Sequence, residues 1–117
     1  ARNSHALKYN ELLGGIEQVK CPKLRPETFH IFHLYVIRAQ HRDDLAAFLK
    51  TKGVFTGIHY PTALPLMPAY RYLKHKPSDF PVAFECQDQI LSLPMYPELT
   101  DEQIAYVADS IKEFYGK

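Results

Sequence analysis

Apolar residues change their spacing several times along this chain, and each change marks an element. From Asn3 to Leu13, Ala6, Tyr9, Leu12 and Leu13 fall on one helical face, and Gly14-Gly15 supplies the left-handed backbone that commonly ends a helix. Ile16 to Cys21 predicts a short strand, after which Pro22 and Pro26 bracket a stretch unsuited to a helix interior or a central ladder. Phe29 to Arg38 is apolar on both faces of a strand, with Phe29, Ile31, His33, Tyr35 and Ile37 on one side and Phe32, Leu34 and Val36 on the other. Such a strand belongs in the middle of a sheet, with His33 as a hydrogen-bonded core histidine.

Helical spacing returns from Arg42 to Lys52 through Leu45, Phe48 and Leu49, with Asp43 and Asp44 near the positive end of the helix dipole and Gly53 just past its end. Val54 to Tyr60 predicts a further strand, and the three prolines from Pro61 to Pro68 force loop, turn or helix start. A short helical turn follows over Tyr70 to Lys74. A helix starting near Ser78 or Asp79 places Pro81 in a first turn and points Val82, Ala83, Cys86 and Ile90 inward. Ile90 to Leu93 predicts a last strand. Thr100 with Gln103 makes a capping box, and Ile104, Val107, Ala108, Ile111 and Phe114 repeat at helical spacing to Gly116. The pattern as a whole predicts an α+β fold, a small mixed or antiparallel sheet with helices packed on it, as one domain over residues 1–117.

Composition narrows the function classes. An apolar fraction of 46%, with eight tyrosines and seven phenylalanines, is ample for a packed core. Fourteen basic and thirteen acidic side chains are scattered and leave a net charge of +1, which gives no electrostatic footprint for nucleic acid or an anionic membrane. No run approaches the roughly 18 apolar residues of a membrane span, and no signal-peptide pattern opens the chain. Cys21 and Cys86 form no CxxC pattern, which fits reduced thiols in a cytoplasmic protein, with a single bridge as the alternative. The chain opens at Ala1, already inside a helical pattern, and reads as a segment cut from a longer protein.

His59-Tyr60-Pro61 is the leading candidate for chemistry, because imidazole and phenol donors at a strand end, before a proline that restricts Tyr60, suit a ligand rich in hydroxyls and phosphates. The alternative is structural: His59 bonds a backbone carbonyl and Tyr60 fills a gap under the proline loop. A zinc site of His30, His33 and His59 is disfavoured, since residues three apart in a strand project to opposite faces. Neither Ser92 nor Ser4 lies in an activating context, and Cys86 on an apolar helix face reads as core. Five dispersed glycines form no phosphate cradle; Gly53 and Gly57 read as a helix cap and a strand irregularity.

Three blocks are specific together: Gly57-Ile58-His59-Tyr60-Pro61, then Pro68-Ala69-Tyr70, then Leu91-Ser92-Leu93-Pro94-Met95-Tyr96-Pro97-Glu98-Leu99-Thr100-Asp101-Glu102-Gln103. With Tyr9-Asn10-Glu11-Leu12-Leu13 and His33-Leu34-Tyr35-Val36-Ile37-Arg38 before them, they resemble, in order and spacing, the C-terminal part of the DegT/DnrJ/EryC1/StrS sugar aminotransferases. The resemblance implies the small C-terminal domain of a fold type I enzyme, usually a homodimer, that uses pyridoxal phosphate. Such enzymes move an amino group from an amino acid, commonly glutamate, to a nucleotide-linked keto-sugar, in cytoplasmic routes to cell-surface polysaccharides. It further implies that the Schiff-base lysine lies in a larger preceding domain, that this chain alone is inactive with no catalytic or cofactor residue, and that His59 and Tyr60 lie on the substrate side. One departure stands out: Pro65 occupies the position where the family often carries a second histidine, which leaves the sugar open. The alternative is an independent binding module on the same scaffold, since fold does not fix function.

Overall fold

The structure, a computed structural model, describes residues 1–117. Helix α1, Arg2–Leu13, turns His5, Ala6, Tyr9 and Leu13 inward, close to the face that its spacing predicts. Its end differs from the expectation. Gly14 keeps right-handed helical angles, and glycine is required there because a Cβ would lie 2.8 Å from the Asn10 carbonyl oxygen.

Three short strands follow in an antiparallel sheet of order β1-β2-β3: β1 is Val19–Lys20, β2 is Tyr35–Ala39 and β3 is Ile90–Leu93. Strand β2 is central, as its two-sided apolar pattern predicts, but it starts six residues later than Phe29. The cause is local. The His30 ring accepts the Phe32 N–H at 2.9 Å and Phe32 takes a left-handed φ of 47°, so this backbone bonds to a side chain instead of a ladder. Phe29 is accordingly 82% exposed, and His33 is exposed rather than a core histidine. The Ile16 to Cys21 strand likewise shrinks to β1, paired through Val19 with Ala39 and Lys20 with Arg38.

Helix α2, Arg42–Thr51, and helix α4, Asp101–Phe114, follow the predicted boundaries within two residues, because both carry strong end signals. Gly53 takes a left-handed φ of 76° after α2. At α4 the Thr100 hydroxyl accepts the Gln103 N–H at 3.2 Å while the Gln103 side chain accepts the Thr100 N–H at 3.0 Å, which satisfies two otherwise orphaned donors. Helices α1, α2 and α4 pack together over the sheet face that carries Tyr35, Ile37, Leu91 and Leu93. Tyr9 stacks on Tyr35 with ring centroids 4.8 Å apart, and the Tyr35 hydroxyl donates to Asn10 at 2.6 Å.

Two expectations fail on the other side of the molecule. Val54 to Tyr60 is no strand; only Gly57 bridges antiparallel to Ser92. Residues 61–80 form three short 3-10 turns, Leu64–Leu66, Pro68–Leu73 and Pro77–Asp79, the second of them the helical turn expected over Tyr70 to Lys74, before helix α3, Pro81–Gln87, begins on its proline. Helix α3 buries no residue: Val82 is 67% exposed, Ala83 is exposed and Cys86 and Ile90 are only half-buried. Its apolar spacing is real, but no second helical layer faces it.

Two predictions follow from this packing. Ile104→Ala, at a fully buried α4 position, lowers unfolding free energy by about 2–5 kcal/mol in urea titration, whereas Val82→Ala changes it by less than about 0.5 kcal/mol. Burial also holds the Tyr9 and Tyr35 phenols well above their ordinary range, and pushes Tyr115 up to about 12. These groups stay protonated in the native chain where unfolded tyrosine, near pH 10, already ionises. Their stabilisation is intact below that pH and declines as pH rises above it, up to about 12 for Tyr115 and beyond for Tyr9 and Tyr35. The urea midpoint therefore falls between pH 9 and pH 11, and falls less steeply in Tyr115→Phe.

Candidate functional site

The site grows from β3. Side chains alternate along a strand, so Leu91 and Leu93 enter the core while Ser92 points to the face turned away from α1, α2 and α4. Ser92 is only 5% exposed, and its backbone exchanges both hydrogen bonds with Gly57: Gly57 N–H to the Ser92 carbonyl at 3.0 Å, and Ser92 N–H to the Gly57 carbonyl at 2.7 Å. Two residues on, His59 places its Nδ1 2.9 Å from the Ser92 hydroxyl. Nδ1 is thereby engaged within the chain, while the imidazole itself lies on the exposed surface.

The structure thus puts the two sequence-predicted residues side by side in different situations. The His59–Tyr60 peptide bond is cis, and the two rings meet edge to face with centroids 5.7 Å apart. Tyr60 is 74% exposed and fills no gap beneath the proline loop. His59 bonds a side chain rather than a backbone carbonyl, so neither half of the structural alternative describes the geometry.

Beyond Tyr60 the chain leaves the core. Pro65 sits half-buried within the first 3-10 turn. Tyr70, Tyr72, Phe80 and Tyr96 all remain exposed. The loop is tied down at its ends: the Gln87 side chain accepts the Ala63 N–H at 2.8 Å, and buried Arg42 donates to the Gln87 carbonyl at 3.2 Å and the Ile90 carbonyl at 2.8 Å. On the same side, Arg38 pairs with Glu85 at 2.8 Å and bonds Gln89 at 2.9 Å, docking α3 on the sheet. A separate apolar cleft of about 490 Å³, walled mainly by Val54, Phe55, Leu99, Tyr106 and Val107, includes neither His59 nor Tyr60.

No three His, Cys, Asp or Glu side chains converge on a point that holds a metal ion, and the His30 Nδ1 is occupied by the Phe32 N–H. Cys21 and Cys86 are free thiols, and burial pushes the Cys21 thiol above its ordinary value. All nine lysines are exposed or half-buried, with Lys52 paired to Glu113 and Lys112 to Asp109. Nothing in residues 1–117 encloses an amine beside a phosphate cradle, so these residues do not fit pyridoxal phosphate as a binding site of their own.

Sequence reasoning missed Ser92, Gly57 and Gln87. The sequence around Ser92 raises only the question of a nucleophile, and its pairing with a residue 33 positions away has no local signature. Gly57 is no strand irregularity: it makes the bridge, and the His59 ring lies across it.

A small antiparallel α+β fold with a loop-borne histidine braced on its sheet is the class that fold and site define. The sequence profile of the DegT/DnrJ/EryC1/StrS aminotransferase family matches residues 1–112, and the chain belongs to that family. A pleiotropic regulatory protein of Geobacillus stearothermophilus is 43% identical over 116 residues, covering 97% of this chain and 31% of the relative. The dTDP-3-amino-3,4,6-trideoxy-alpha-D-glucose transaminase of Streptomyces venezuelae is 33% identical over 97% of this chain and 30% of its own length. The crystal structure of S. venezuelae DesV in complex with a ketimine intermediate superposes with a TM-score of 0.93 at 32% identity, covering 99% of this chain and 31% of that one. The chain therefore spans about a third of the length of these relatives.

The anchors yield a prediction about the loop. Gln87→Ala frees the Ala63 N–H at the loop's start, so limited proteolysis within residues 61–80 accelerates about five- to tenfold, the equivalent of one lost hydrogen bond, while the global urea midpoint barely moves.

Proposed function

We propose that residues 1–117 form the small C-terminal domain of a pyridoxal-phosphate-dependent aminotransferase, and that His59 and Tyr60 contact a nucleotide-linked keto-sugar substrate. The observation that carries this reading is the His59 geometry: an exposed imidazole whose Nδ1 is held by a buried serine, on a loop that leaves its outer edge free. A ring held in one orientation is an efficient hydrogen-bond partner for sugar hydroxyls and phosphate oxygens, because little rotamer freedom is lost on binding. Tyr60 adds a phenol and an apolar ring beside it, which suits a ligand with both sugar and nucleotide parts. The transaminase names carried by relatives over nearly the whole of this chain support the same substrate class.

The Schiff-base lysine and the phosphate cradle belong, on this reading, to a larger preceding domain, and this chain alone is inactive. The exposed lysines support that division, since an amine that forms a Schiff base is usually kept desolvated. The roles of His59 and Tyr60 are then orientation, with amino-group chemistry performed outside these residues. A glutamate donor, a homodimeric parent and a cytoplasmic location complete the proposal. The exposed aromatic surface around Tyr72 and Phe80 is consistent with burial against the rest of such an enzyme.

In the complete polypeptide, His59→Ala and Tyr60→Ala leave cofactor absorbance intact and lower kcat/KM for the keto-sugar by about ten- to a hundredfold, the worth of a hydrogen bond to a charged group. Steady-state kinetics indistinguishable from the unaltered enzyme in both variants would return the two residues to a structural role.

A further inference from the structure

His59 is held on two sides by residues whose backbone the sheet itself fixes. Ser92 is placed first, by its register opposite Val36 and by its paired hydrogen bonds with Gly57. Its hydroxyl then meets Nδ1 at 2.9 Å. Gly57 supplies the second side: a Cβ there would lie 2.6 Å from His59 Cε1, 3.3 Å from Nδ1 and 3.5 Å from Nε2, so a side chain at 57 and the ring cannot share the space. No left-handed backbone explains this glycine, because Gly53 and Gly116 are the glycines with positive φ. What Gly57 provides is room for one ring.

We propose that Ser92 and Gly57 are positioning residues for substrate recognition: together they hold the His59 imidazole in one rotamer and leave Nε2 to face an oxygen of the nucleotide-sugar. The inference rests on the reading of His59 as a substrate contact and adds how that contact is oriented. When the serine hydroxyl donates to Nδ1, Nε2 carries the proton and is a donor, the polarity that a phosphate or carbonyl oxygen requires. Neither residue touches the substrate. Their contribution is that the imidazole needs no reorganisation when the substrate arrives.

The test uses the complete enzyme with its cofactor bound, measuring the half-reaction with the amino donor separately from the half-reaction with the keto-sugar. Ser92→Ala and Gly57→Ala each raise KM for the keto-sugar about five- to tenfold, while the amino-donor half-reaction stays within about twofold of the unaltered enzyme. Ser92→Thr, which keeps a hydroxyl, recovers most of the loss. A methyl at position 57 meets the imidazole and no other group so closely, so Gly57→Ala keeps the question open to measurement should Ser92→Ala fail to fold. An unchanged keto-sugar KM in Ser92→Ala and Gly57→Ala, alongside a raised one in His59→Ala, overturns the positioning role and spares the substrate role of His59. No effect in His59→Ala either overturns both. Parallel losses in the two half-reactions in Gly57→Ala overturn it too, since that pattern marks a general structural fault.

Discussion

The alternation of side chains along β3 is the constraint on which core and candidate site both depend. Leu91 and Leu93 enter the face covered by α1, α2 and α4, opposite Ile37 and Tyr35, and Ser92 is thereby committed to the other face. A slip of one residue in the β2–β3 register would expose both leucines and bury the serine hydroxyl away from His59. The apolar burial that fixes this register is large, because Tyr35, Ile37 and Leu91 are fully buried and Leu93 nearly so. The orientation of an exposed histidine is thus set by hydrophobic packing on the opposite face of the sheet. This is the route by which a loop residue acquires the precision of a strand residue.

The segment from Pro61 to Gln87 obeys a different rule. It buries no residue fully, so apolar transfer contributes little to its order. Prolines begin each of its 3-10 turns or sit in their first positions, and they begin α3 as well, which narrows the unfolded ensemble. Hydrogen bonds at its ends, from Ala63 to Gln87 and from Arg42 to the Gln87 and Ile90 carbonyls, then tie it to the sheet. Arg42 is only 7% exposed, and its charge is offset by Asp43 at 2.7 Å together with those two carbonyl acceptors. A stretch built this way keeps its shape while leaving its aromatic side chains outward.

How much of this was legible in the sequence varied with the kind of signal. Helix α4 and the end of α2 could be read because the Thr100-Gln103 capping box and Gly53 are local chemistry, decided within a few residues. Strand β3 was legible because prolines close it at Pro94 and its partners are apolar. The strand predicted from Phe29 failed for an equally local reason in the opposite direction, since one imidazole outcompeted a ladder for the Phe32 N–H. The inward face expected of α3 failed otherwise: the helix and its apolar spacing are there, but periodicity shows which residues share a face and not whether anything lies against it. His59 and Tyr60 came from motif and resemblance, whereas Ser92 and Gly57 needed the sheet register that brings residues 57 and 92 together.

The unequal footing of His59 and Tyr60 carries a last consequence for the proposed role. Both are surface residues, but His59 has its ring nitrogen bonded and one side occupied by Gly57, whereas Tyr60 is 74% exposed and meets His59 only edge to face. A side chain free to rotate gives up about 0.5–1.5 kcal/mol when a ligand immobilises it, a cost that His59 has largely met during folding. For equal contacts with a substrate, the imidazole therefore retains more of its interaction energy as affinity than the phenol does. Direction follows as well as strength: a fixed donor selects where a sugar oxygen must lie, while a mobile ring accommodates whatever surface is presented to it. On the proposed reading, His59 sets the register of the substrate and Tyr60 adds contact surface beside it.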